Sequence, residues 1–203
     1  MRSLFYTLFT LAVIACGLQS CDSKGRLAQD MAGEWTSNPE KIDVKGAATS
    51  ASTTHFAFIL DPGSNGGNVI IESTISVSQP INEQVVYVLE PIELTASAVA
   101  SIQGTWRVTD DDEVMLMLDP KSLKVSVDPE GVETIFNNLT QLSTTLVDSL
   151  KTAVLNDFTS RISAAAEKEM LSLHHLDDVE IESDGTMMHF ETGKVKHTLL
   201  KDK

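Results

Sequence analysis

Cysteine is scarce in this chain: it has two, Cys16 and Cys21, both near its start. A disulfide framework, a thiol nucleophile and a cysteine-bound metal are thereby excluded from everything that follows them. Positive charge is short as well, with 15 basic residues against 29 acidic ones and a net charge of −14. Such a surface argues against nucleic acid as a partner and against electrostatic docking on anionic lipid. Apolar runs are also short, and none reaches the ~20 residues of a membrane-spanning helix. The motifs of common chemistry are missing: there is no Gly-x-Ser-x-Gly, P-loop, Rossmann glycine pattern or His-Glu-x-x-His. Ser64 stands among glycines without a partnered base, so no catalytic residue, and no enzyme, is expected.

What is present begins with a three-part leader. Arg2 supplies a positive charge, Leu4 to Cys16 is apolar, and Leu18-Gln19-Ser20-Cys21 follows. This last stretch resembles the lipobox of bacterial lipoproteins, although Gln19 is bulkier than that family favours. The resemblance implies that residues 1–20 are a signal peptide cleaved between Ser20 and Cys21, and that the Cys21 thiol carries a diacylglycerol. Residues 21–30 then read as a polar, lipid-anchored tether, and 31–203 as one domain. Loss of Arg2 leaves 14 basic residues against 29 acidic ones, net −15. The lipid is left as the membrane contact.

From Met31 to Asp128 the chain reads as strands. His55 to Leu60 ends at a dense turn signal, Asp61 to Gly67. Val69, Ile71, Ile75 and Val77 alternate with polar residues, as do Leu94, Ala96, Ala98 and Ala100. Val114 to Leu118, a turn at Asp119 to Ser122, and Leu123 to Val127 complete a meander. Ala96, Ala98 and Ala100 either face inward and leave room in the barrel or make space for helices packing outside it. From about 132 to 173 the period changes. Ile135, Leu139, Leu142, Leu146, Leu150, Val154, Phe158 and Ile162 form one helical stripe. A helix of that length would outrun the sheet, so a break near Leu155-Asn156-Asp157 is expected. Three strands close the chain, Val179 to Glu182, Met187 to Glu191 and Lys194 to Leu200, with turns at Ser183-Asp184-Gly185 and Thr192-Gly193.

Two clusters invite a metal. His174-His175-Leu176-Asp177-Asp178 gathers suitable ligands, but neighbouring side chains point apart, and a helix C-terminus next to a strand explains the histidines. Asp110 to Glu113 lacks the spacing and glycine of a calcium loop and reads as a hairpin tip. Neither a metal nor any other cofactor is expected. Asp148-Ser149-Leu150 matches the three-residue O-glycosylation motif known in Bacteroidetes, in a helical setting that disfavours it.

Gly33-Glu34-Trp35 and Gly104-Thr105-Trp106 each read as opening a strand. With them the chain resembles calycin-type barrels, the lipocalins and the lipocalin-like lipoproteins of Bacteroidetes. The resemblance implies a mainly β fold: an antiparallel, calycin-like barrel with a long helical insertion before the terminal strands. It also implies that Gly33 and Trp35, echoed by Gly104 and Trp106, plug a barrel end. The terminal strand offers Lys194, Lys196 and Lys201 where lipocalins stack an arginine on the tryptophan. The expected protein is exported, anchored in the cell envelope at the outer membrane, and non-enzymatic. Its barrel would bind a small apolar ligand; the alternative is a structural or protein- or glycan-interaction module with a packed barrel and no cavity.

Overall fold

The computed structural model describes residues 23–81, 92–128 and 144–202. Helix α1 (Ser23–Met31) leads into β1 (Gly33–Ser37) and the two-residue β2 (Glu40–Lys41). Three long strands follow: β3 (Thr49–Leu60), β4 (Gly66–Ile81) and β5 (Ile92–Val108). Next come β6 (Val114–Leu118), a 3-10 turn at Pro120–Ser122, β7 (Lys124–Asp128) and helix α2 (Thr144–Ser172). The chain ends with β8 (His175–Ile181), β9 (Met187–Thr192) and β10 (Val195–Lys201).

Eight of these strands close an antiparallel barrel in the order β1-β10-β9-β8-β6-β5-β4-β3, with β3 returning to β1. The mainly β fold with a helix inserted before the final strands is thus as expected from the pattern. Period-2 alternation chooses the faces. Phe56, Phe58, Val69, Ile71, Ile75, Ala96, Ala98 and Ile102 turn inward, while Ile70 and Val99 between them stay exposed. The aromatic side chains meet inside: Phe58 packs edge-on to Trp106 at 5.2 Å, and Phe56 edge-on to Phe190 at 6.2 Å.

Both β3 and β5 outrun the barrel and take a second partner. β5 pairs β6 over Gly104–Val108 and β7 over Ser97–Ser101. Gly104 is therefore interior to β5 and does not open a strand as its sequence echo suggested. It stands where β6 begins to pair, and a Cβ there would lie 2.4 Å from the Met117 carbonyl oxygen, so only glycine permits the approach. Gly33 does open β1, at φ +127°.

The helices close the two ends. Part of the expected tether is folded: Ala28 and Met31 of α1 are fully buried in the core. Trp35 Nε1 donates to the Met31 carbonyl at 2.7 Å, and Lys201 Nζ lies 4.8 Å above the Trp35 ring. A lysine thus occupies the cation-on-indole role. At the other end α2 packs against β5 and β7. β7 pairs the half of β5 that bears Ala98 and Ala100, whose side chains face inward and are buried. The expected break at Leu155-Asn156-Asp157 is absent: α2 runs unbroken from Thr144 to Ser172, without proline or glycine, for about 43 Å at ~1.5 Å per residue. It is accommodated by crossing the barrel mouth instead of lying along one strand direction. Its stripe of Phe158, Ile162, Ala165, Ala166 and Met170 is buried, and Arg161 reaches the Lys45 carbonyl and Gln79 on the far side. Ile135, Leu139 and Leu142 of the expected helix lie outside the described residues. Among the described residues no helix is long and apolar enough to cross a membrane.

Candidate functional site

The barrel interior is occupied by its own side chains. Trp35, Trp106, Ile71, Ile75, Ile102, Leu176 and Phe190 are all fully buried, and they come from five strands around the wall. The inward-facing polar groups partner one another: Thr54 and Ser73 hydroxyls are 2.7 Å apart, and the Thr54 amide donates to Ser37 Oγ at 2.9 Å. An open groove of about 540 Å³ lies at the ends of β3, β4 and β5, where the hydroxyls of Ser50, Ser76 and Thr95 are interleaved with Ala51, Val77 and Ala96. It is open to solvent and is not the enclosed chamber in which a carrier sequesters an apolar ligand.

A second groove, about 240 Å³, runs between the C-terminal half of α2 and strands β2, β9 and β10. It brings together side chains that no sequence motif connects. His197 Nδ1 lies 2.9 Å from Glu40 Oε2, and His197 Nε2 lies 2.7 Å from Thr192 Oγ1. The imidazole stacks on Phe190 at 4.9 Å. From α2, Glu169 accepts a hydrogen bond from Ser52 Oγ at 2.8 Å. Burial is the main reason the Glu169 carboxyl is held above the ordinary glutamate range; the Ser52 bond opposes it, and the Glu40 charge adds to it. Thr192, His197 and Glu40 stand in the order hydroxyl, imidazole, carboxylate, which is also the order of a nucleophile relay. Such a relay needs donors aimed at the negative charge that develops on a substrate. The Glu169 carboxylate beside it offers the opposite.

Of the residues singled out in the sequence, Cys21 and the Ser20–Cys21 junction lie outside the described residues. Trp35 and Trp106 are both buried at the end covered by α1, and Trp106 Nε1 donates to the Ile59 carbonyl at 3.4 Å. β8 begins at His175, four residues earlier than its pattern suggested. His175 and Asp177 consequently share a face, with His175 Nδ1 3.0 Å from Asp177 Oδ1 and Nε2 3.8 Å from Glu113 Oε2. A comparable group, Glu34, His55 and Asp202, was missed altogether because its members are joined only by strand register. Asp148 and Ser149 are exposed on α2.

The fold defines the chain as a closed eight-stranded antiparallel barrel, compatible with a calycin-like architecture. No protein-family model matches the chain, and no curated protein is significantly similar to it.

Proposed function

We propose that this chain is an exported lipoprotein, anchored in the outer membrane through a lipid on Cys21, whose packed barrel serves as a non-enzymatic protein- or glycan-interaction module. The observation that carries this reading is the filled barrel. An apolar carrier needs an enclosed cavity of ~300 Å³ or more, whereas here the space is taken by Trp35, Trp106, Phe190 and their neighbours, and both ends are covered by helices. The outer wall adds support. Ile59, Ile70, Met115 and Met117 are exposed there on β3, β4 and β6, where a purely soluble surface would favour polar groups. The Gly33–Trp35 pair, the α1 cover and Lys201 over the indole support kinship with the lipocalin-like lipoproteins of Bacteroidetes. Kinship of that kind would be one of scaffold without the ligand.

Native mass spectrometry of the detergent-purified protein from its own host tests the reading. The expected spectrum shows the lipidated chain, or that chain with a macromolecular partner, and no small apolar adduct. A stoichiometric apolar adduct released on unfolding would restore the carrier and overturn the packed-barrel reading.

A further inference from the structure

The barrel consists of two runs of successive antiparallel neighbours, β3-β4-β5-β6 and β8-β9-β10, and it has two seams where these runs meet. One seam is β6 against β8, paired only at Val114↔Leu176 and Met115↔His175. The other is β1, a five-residue strand that closes the barrel by pairing β10 on one side and β3 on the other. A histidine and two carboxylates meet at each seam.

At the β1 seam the three groups come from three directions. Glu34 is on β1, His55 is on β3 opposite Thr36, and Asp202 follows the end of β10. One ligand atom from each lies within 4.8 Å of the others. His55 Nε2 is 3.1 Å from Asp202 Oδ2. Thr36 Oγ1 donates to the Asp202 carboxylate, at 2.9 and 3.0 Å from its two oxygens, and the Asp202 amide donates to the Glu34 carbonyl at 2.9 Å. The carboxylate is therefore oriented from behind by a hydroxyl, and the chain end that bears it is held in register.

We propose that Glu34, His55 and Asp202 form a binding site for a divalent transition-metal ion of the Zn²⁺ class, bridging β1, β3 and the end of β10. One imidazole nitrogen with two carboxylate oxygens is a donor set that suits zinc, and it leaves a position for water. Two carboxylates with a neutral imidazole balance the charge of the ion. Bonds of ~2.0–2.1 Å in a tetrahedral arrangement place ligand atoms about 3.3 Å apart. The His55–Asp202 pair is already at that separation, and the exposed Glu34 side chain has the freedom to close the remainder. At the β6–β8 seam the two nitrogens of His175 face different carboxylates. Only one ring nitrogen can face the ion there, so Asp177 at Nδ1 is an orienting group more than a ligand, and the β1 seam is the more complete site.

The consequence is a clamp on the five-residue strand that closes the barrel. An ion that binds only the folded chain raises its melting temperature, by roughly 5–10 °C at a hundredfold excess over its dissociation constant. The full-length chain in detergent, stripped with EDTA, is titrated with ZnCl₂ by calorimetry and melted with and without the ion. Wild type is expected to bind an equivalent that His55→Ala lacks, and to gain a melting shift that His55→Ala loses. Asp202→Asn keeps the side chain's shape and one acceptor oxygen for Thr36. It should weaken zinc at least tenfold while leaving the metal-free melting temperature unchanged. His175→Ala removes the other cluster and should leave this equivalent in place. Absence of zinc binding, retention of the equivalent in His55→Ala, or unchanged affinity in Asp202→Asn overturns the proposal.

Discussion

Glu169 is a carboxyl group placed where its charged form is costly. Burial between α2 and the barrel raises its pKa above the usual value of 4.5, and the Ser52 hydroxyl only partly compensates. The sign of the pH dependence follows from linkage. Below the unfolded pKa the group is protonated in both states and costs nothing, and as pH rises through the raised folded value the native state must carry the charge and loses stability. Glu169→Gln retains an acceptor for Ser52 and cannot ionise. Urea denaturation should therefore find the variant more stable than wild type at pH 7, with the difference closing towards pH 4. Equal stability at pH 7, or a difference that grows in acid, would show that the groove hydrates this carboxylate freely. Single residues also mark where the sequence was readable. Trp35 and Gly33 announced themselves through a local motif with a steric reason. Glu169, Ser52, Glu40 and His197 did not, because their encounter depends on the path of α2 and on which strand β2 pairs, and neither is encoded within any short window.

At the level of elements the alternating strands were legible because a half-buried sheet imposes a period of two on its sequence. The observed β4 and β5 contain the alternating runs that predict them, Val69 to Val77 and Ile92 to Ala100. α1 was not legible: Ser23 to Met31 is mostly polar, and only Ala28 and Met31 reveal, once the barrel end is present, that it has a buried side. The unbroken course of α2 was likewise hidden, since the argument for a break assumed that the helix lies along the barrel. Its actual path over β5 and β7 gives Ala98 a structural task. Ala98 is 2% exposed on the face beneath the helix, and its neighbour Val99 is 42% exposed on the other face. Ala98→Leu adds three heavy atoms to a side chain that is already buried, and overpacking of this kind costs about 1–3 kcal/mol. Val99→Leu, one residue away, should change stability by less than ~0.5 kcal/mol. Equal effects in thermal melts of the two variants would mean that α2 does not rest on this part of β5.

For the molecule as a whole, the balance of charge and packing decides how it could stay at a membrane. The chain carries 29 acidic residues against 15 basic ones, so an anionic bilayer repels it. α1 packs its apolar residues, Leu27, Ala28 and Met31, against the barrel core, so they are not offered to a membrane interface. Retention then rests on the lipid proposed at Cys21. One acyl chain gives only marginal attachment, at ~0.8 kcal/mol per buried methylene, whereas two or more hold a protein stably. Two outcomes follow for cells expressing the full chain. Membrane association should withstand about 1 M salt, because there is no ionic contact to screen, and the protein should partition into the detergent phase on Triton X-114 separation. Cys21→Ala, or treatment with globomycin, should block processing and leave a precursor larger by the residues that precede Cys21. Truncation to Asp22, with a cleavable secretory signal in place of the native leader, should release a folded domain into the aqueous phase. An unprocessed-sized product in the untreated wild type, or membrane retention of the truncated domain, would remove the lipid from the account and turn attention to the exposed apolar side chains of β3, β4 and β6.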